Sequence, residues 1–163
     1  MIVYIKMIEQ ISAFFNIDMI YMWANIGVLP LWFVLLFFPK SNICNFFVLS
    51  IVPYIIFSSI YVYLAYFFFV SGYDFFENFS LYLNLNQLKN LFSEEAFLIV
   101  FWVHFLAINL FCGSWIVKDS QKLMMSKNFV FIPLIMTYFV GPFGVLVYWL
   151  IRIFFAKKIS LFD

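Results

Sequence analysis

The residues that could carry chemistry in this chain of 163 residues are few, and most sit in or beside long apolar stretches. The single histidine, His104, lies within LFSEEAFLIVFWVHFLAINLFCGSWIVKDS (91–120), which opens on Glu94 and Glu95 and closes on Lys118 and Asp119. At about 100° per residue, Glu95, Trp102 and Asn109 share one helical face. His104 falls opposite Glu95, on the face of Phe97, Phe111 and Trp115. Glu95 and His104 therefore do not pair on one helix, and a partner must come from another helix or a facing subunit. Acid–base catalysis is the chemistry such groups offer, since ionisable residues at membrane depth are costly and tend to mark working sites. The structural alternative is simple. His104 and Asn109 can hydrogen-bond neighbouring helices, at ~0.6 kcal/mol each. Glu95 suits a helix start capped by Ser93, and Lys118 and Asp119 suit interfacial anchors.

Other chemistries lack their residues. One histidine cannot clamp a haem from both sides within a monomer, nor supply a di-iron centre. A retinal Schiff base needs a lysine inside a span, and no span has one. There is no phosphate-cradling glycine loop and no Cys/His metal-ligand spacing. Cys44 and Cys112 are too few for a disulfide framework. No cofactor is expected, and a net charge of +1 gives no reason to expect a nucleic-acid partner.

The elements that must position these residues follow from the composition. Hydrophobic residues make up 67% of the chain and charged residues 10%, too few to clothe a water-facing surface. Four stretches, about 19–38, 46–70, 96–117 and 128–151, contain no Asp, Glu, Lys or Arg. Each can cross a hydrocarbon core of ~30 Å as a helix, and period-two alternation is absent, which excludes a membrane barrel. The expected fold is an all-α, integral membrane four-helix bundle over 19–158, in the bilayer of a bacterial inner membrane. Residues 1–18 form a separate amphipathic segment, with Met1, Tyr4, Ile8, Ile11 and Phe15 opposite Lys6, Glu9 and Gln10. The 71–95 connector has the same character: Leu81, Leu85, Leu88 and Phe92 make one face, and Asn84, Gln87 and Asn90 another. Four crossings would place five basic residues on one side and four on the other, which gives no orientation.

Inside the other spans, Tyr54, Ser58 and Tyr61 fall at i, i+4 and i+7, a polar stripe expected to face the bundle. Pro53 predicts a kink. Thr137, Gly141, Gly144, Tyr148 and Arg152 share a face suited to close helix approach, and Gly141-Pro142 should bend or interrupt the helix near mid-membrane. Such a break is either packed or lines a substrate cavity. The abundant aromatic side chains suit a slot for a polyene and suit ordinary packing equally well. Trp102, Asn109, Tyr54, Tyr61, Gly141 and Gly144 are the candidate substrate-binding residues.

In order and spacing, FFPK (37–40), PYIIFSSIYVYL (53–64), LFSEE (91–95), WVHFLAINLF (102–111), Asp119 and GPFG (141–144) resemble a small membrane family. It is the abscisic-acid-deficiency-four-like family, typified by the plant protein required for neoxanthin synthesis. The resemblance covers roughly 25–152. It implies a four-helix membrane protein acting on a carotenoid or other isoprenoid, by an epoxide-to-allene isomerisation without net redox change in the plant members. It makes His104, Glu95 and Asp119 the catalytic candidates, with acid and base unassigned among them. Two positions depart from the plant pattern: Asn109 replaces an acid and Ser114 replaces an arginine. If those two normally pair in catalysis, this chain does not run the plant reaction. The alternative is a non-catalytic protein that binds carotenoid or lipid, or that assembles with itself or another membrane protein.

Overall fold

A computed structural model describes residues 16–157; the proposed amphipathic N-terminal segment lies almost wholly outside them. Among the described residues the chain is helical, with no strand. The helices are α1 (Ile17–Phe37), α2 (Val52–Val70), α3 (Leu85–Phe92), α4 (Glu95–Lys122), α5 (Lys127–Val140) and α6 (Pro142–Ala156), with a π-helical turn at Cys44–Val48 and a 3₁₀ helix at Phe75–Tyr82. Three segments are long and apolar enough to cross a membrane: Ile17–Phe37, Cys44–Val70 and Glu95–Lys122.

Each of the three carries a narrow buried stripe on an otherwise apolar cylinder. On α1 the stripe is Ile20, Ala24, Val28, Trp32 and Leu35, while Tyr21, Trp23, Phe33 and Phe37 face outward. A helix that is apolar on every side suits lipid on one face and protein on the other. The second segment is not one rod. Its π-helical turn closes with Leu49 N–H donating to Cys44 O at 2.8 Å, and α2 starts afresh at Val52. Pro53 thus occupies the first turn of a new helix, where its missing N–H breaks no bond. The buried stripe of α2 is Phe57, Leu64 and Phe68. The expected Tyr54/Ser58/Tyr61 stripe is corrected by this: Ser58 and Tyr61 are exposed, and only Tyr54 is partly buried. The larger apolar rings take the packing face because they fill it more completely than a serine can.

The fourth charge-free stretch departs furthest from expectation. It is two short helices folded back on each other, not one crossing. The ring of Phe129 on α5 meets that of Phe155 on α6, centroids 5.4 Å apart. A Cβ placed on Gly144 would strike the backbone N and hydroxyl of Thr137 and come within 2.6 Å of Pro133 O. Those contacts require an antiparallel hairpin with its tip at Gly141, whose φ of 43° favours glycine. Pro142 then starts α6 without an N–H to satisfy. At ~1.5 Å per residue neither arm reaches the ~30 Å of a hydrocarbon core.

Contacts group the chain into two units, the described parts of Met1–Gly27 with Ile56–Phe105 and of Val28–Ile55 with Leu106–Asp163. The first has a core of Ile20, Ala24, Phe57, Leu64, Phe68, Leu91, Ile99 and Val103. It also contains the connector, where Asn84 caps α3 by accepting from Gln87 N–H at 3.0 Å. Phe76, Phe79, Tyr82, Leu83 and Leu85 of the connector are exposed, as expected of a segment at a membrane surface. The second unit contains the π-helical turn and the hairpin. Among the described residues, the buried polar side chains Asn109, Ser114, Asp119, Ser120, Thr137 and Arg152 all belong to it.

Candidate functional site

A buried polar cluster is built by the last turns of α4 and the second arm of the hairpin. Asp119 Oδ2 accepts from Arg152 Nε at 2.7 Å and from the Tyr148 hydroxyl at 2.7 Å. Arg152 Nη2 also donates to Asp119 Oδ1 at 3.3 Å. Tyr148 and Arg152 are 0% and 1% exposed and Asp119 8%, so the ion pair is shielded from solvent. Trp115 meets Tyr148 edge to face at 5.6 Å, and Met125 Sδ lies 3.8 Å from the hydroxyl. Spacing explains the arrangement: Tyr148 and Arg152 are i and i+4 on α6 and so rise on one face. The expected role of Asp119 as an interfacial anchor gives way to that of a buried acceptor.

Asn109 serves the tip of the hairpin. Its Nδ2 donates to Tyr138 O at 3.4 Å, one of the carbonyls that the end of α5 leaves without an intrahelical partner. Its side-chain oxygen fills the space beside Gly141. Backbone freed at membrane depth needs such a donor, and Asn109 supplies it. Ser114 turns elsewhere, accepting from the Tyr54 hydroxyl at 3.0 Å. The two positions that differ from the plant pattern therefore touch different partners in this chain.

Within the first unit, Trp102 Nε1 donates to Asn25 Oδ1 at 3.2 Å, and Asn25 Nδ2 in turn donates to Tyr21 O at 2.7 Å. Asn25 escaped the sequence reading because it stands alone in α1, although an amide inside a charge-free span is itself a signal. His104 lies on the exposed face of α4, and Glu95 is exposed in its first turn. Ser93 does not cap α4; its hydroxyl donates to Lys89 O at 3.0 Å and closes α3. Outside the spans, burial and the neighbouring Glu94 carboxylate, with smaller effects from Glu77 and Asp74, push the Tyr73 phenol up to about 12. Its hydroxyl donates to Asn78 Oδ1 at 2.6 Å.

The three catalytic candidates thus stay apart. Glu95, His104 and Asp119 lie on one helix, and at ~1.5 Å per residue the first and last are separated by roughly 36 Å. Among the described residues no buried side-chain nitrogen or oxygen lacks a hydrogen-bond partner.

Three apolar helices of spanning length with a broken fourth segment define a multi-pass, all-α membrane protein. Residues 19–148 match the model of the ABA DEFICIENT 4-like family, and the chain belongs to that family, the one associated with neoxanthin synthesis. No curated protein and no solved structure matches it.

Proposed function

We propose that this chain handles a carotenoid or related isoprenoid lipid within the membrane, and that it holds the lipid rather than transforming it. Family membership supports the ligand class. The observation that carries the choice is the state of Asp119. It is the only buried member of the three catalytic candidates, and both its oxygens are engaged by Arg152 and Tyr148. With both oxygens occupied by donors and the side chain buried, this carboxylate is poorly placed to meet a reacting lipid. Binding needs no free acid, and the outward aromatic faces of α1 and α2 offer a polyene extended apolar contact.

A second reading, cofactor-free isomerisation, draws support from one contact. The Tyr148 hydroxyl on the Asp119 carboxylate is a phenol paired with a base, the type of couple that moves a proton without redox change. In that reading His104 and Glu95 take no part. Expression of the full chain in a carotenoid-producing host, with pigment analysis of wild type, His104→Ala and Tyr148→Phe, separates the readings. Copurified pigment of unchanged structure supports binding. A new isomer that disappears in Tyr148→Phe and persists in His104→Ala supports catalysis. An unaltered pigment profile with no bound polyene would refute both.

A further inference from the structure

The basic residues are shared unevenly. Lys40, Lys118, Lys122, Lys127, Arg152, Lys157 and Lys158 belong to the sequence of the second unit, with only Asp119 and Asp163 as acids. The first unit's sequence has Lys6 and Lys89 against six acidic residues. The hairpin underlies this segregation. A fourth crossing would have carried Arg152 and Lys157 to the other side; a fold that reverses at Gly141 returns them to the side from which α5 starts. Asp119 is already engaged by Arg152, so among the described residues no carboxylate of the second unit is left for Lys40, Lys118, Lys122 and Lys127.

Two of these cations flank a cavity. Lys40 follows α1 and Lys127 opens α5, and together with Ser41, Ser126, Phe37 and Phe38 they line a space of about 440 Å³. Among the described residues no acidic side chain lines it. The Ser41 hydroxyl is occupied by Phe38 O and Cys44 N–H, whereas the Ser126 side chain makes no cap bond to α5. Gln121 Nε2 holds Pro39 O at 2.7 Å and fixes one wall. A narrower crevice of about 20 Å³ shares Lys40 and Lys127 and continues over Leu36, Phe131 and Leu134. Phe37 and Phe131 meet edge to face at 5.9 Å beside it.

We propose that this cavity binds the phosphate headgroup of an anionic phospholipid. Lys40 and Lys127 pair with the phosphate, and the acyl chains run over Phe37, Phe38 and Phe131. The placement fits a lipid rather than a free anion. The cavity lies just past the last residues of a helix of spanning length, the end that meets headgroups when such a helix crosses a bilayer, and half-exposed phenylalanines form its apolar side. The excess of lysine and arginine also orients this end toward the cytoplasmic leaflet, where anionic lipids are concentrated.

The test uses the full-length protein in neutral detergent and measures binding of fluorescent phosphatidylglycerol and phosphatidylcholine. The lysines are exposed, so their replacement by glutamine leaves the fold intact, and unchanged thermal unfolding verifies this. The proposal predicts tighter binding of phosphatidylglycerol than of phosphatidylcholine. With each lysine worth about fivefold near an anionic surface, Lys40→Gln with Lys127→Gln weakens it roughly thirtyfold. Lys89→Gln leaves it unchanged. Equal affinity for the two lipids, or equal losses in the Lys89 and Lys40/Lys127 variants, would overturn the proposal. So would displacement of the lipid by an equal concentration of inorganic phosphate, which would mark a site for a free anion.

Discussion

The two units solve the membrane problem in opposite ways. The first has a core of aliphatic and aromatic side chains and keeps its charges outside it: among its described residues, none of the buried side chains is polar or charged. The second laces its core with an ion pair, an amide and hydroxyls. The difference follows from backbone geometry. Where helices run straight through lipid, each backbone group is satisfied within its own helix and the core can be apolar. Where the chain reverses at Gly141, carbonyls are released and a cationic arm is drawn inward, so Asn109 and Asp119 must be there to meet them. Among the described residues, buried polarity gathers in the unit that holds the hairpin.

The sharpest way to break this contrast is to strip the second unit of its ion pair. Asp119→Ala leaves a buried guanidinium without its carboxylate and should cost about 3–5 kcal/mol, read as a large drop in thermal unfolding temperature. Replacing both partners, Asp119→Leu with Arg152→Met, should recover most of that loss. If the double variant is as unstable as the single, the pair is more than a means of burying Arg152. Next in size is Gly144→Ala. Its methyl group meets the Thr137 backbone, and forcing the arms apart should cost about 1–3 kcal/mol; an unchanged melting temperature would mean that the arms are not tightly packed. In the first unit the largest polar deletion should be small. Trp102→Phe removes the bond to Asn25 and should cost ~0.6 kcal/mol, and a loss as large as that of Asp119→Ala would erase the distinction between the units.

The effect that vanishes at neutral pH is an alkaline titration in the first unit. The Tyr73 phenol titrates at about 12 in the folded protein against about 10 when unfolded. Between those values the unfolded chain releases a proton that the folded chain keeps, so stability falls as pH rises through that window. Below pH 10 both states hold the proton and no effect is expected. Tyr73→Phe should remove this part of the alkaline destabilisation, with tyrosinate absorbance as the readout.

Charge placement and composition by themselves determined that the chain is a helical membrane protein and where three helices of spanning length lie, because lipid forces every backbone bond inside the segment and excludes unpaired charge; the same signal also marked 128–151 as a fourth crossing, which the structure divides into two short helices. They also located the break at Gly141-Pro142, since proline and glycine alter the backbone wherever they stand. The direction of the chain after the break was decided only by tertiary structure. A bent crossing and a hairpin have the same apolar sequence, and contacts between the two arms, Gly144 on Thr137 and Phe129 on Phe155, select the hairpin. The same holds for the site. His104, Asn109 and Asp119 stood out as polar groups near lipid, but face and partner depend on neighbouring helices. His104 lies exposed, Asn109 bonds to Tyr138, and Asp119 acquires Arg152 and Tyr148 from 33 and 29 residues away. No periodicity within one helix encodes a pairing across that distance, because it is fixed by which helices meet.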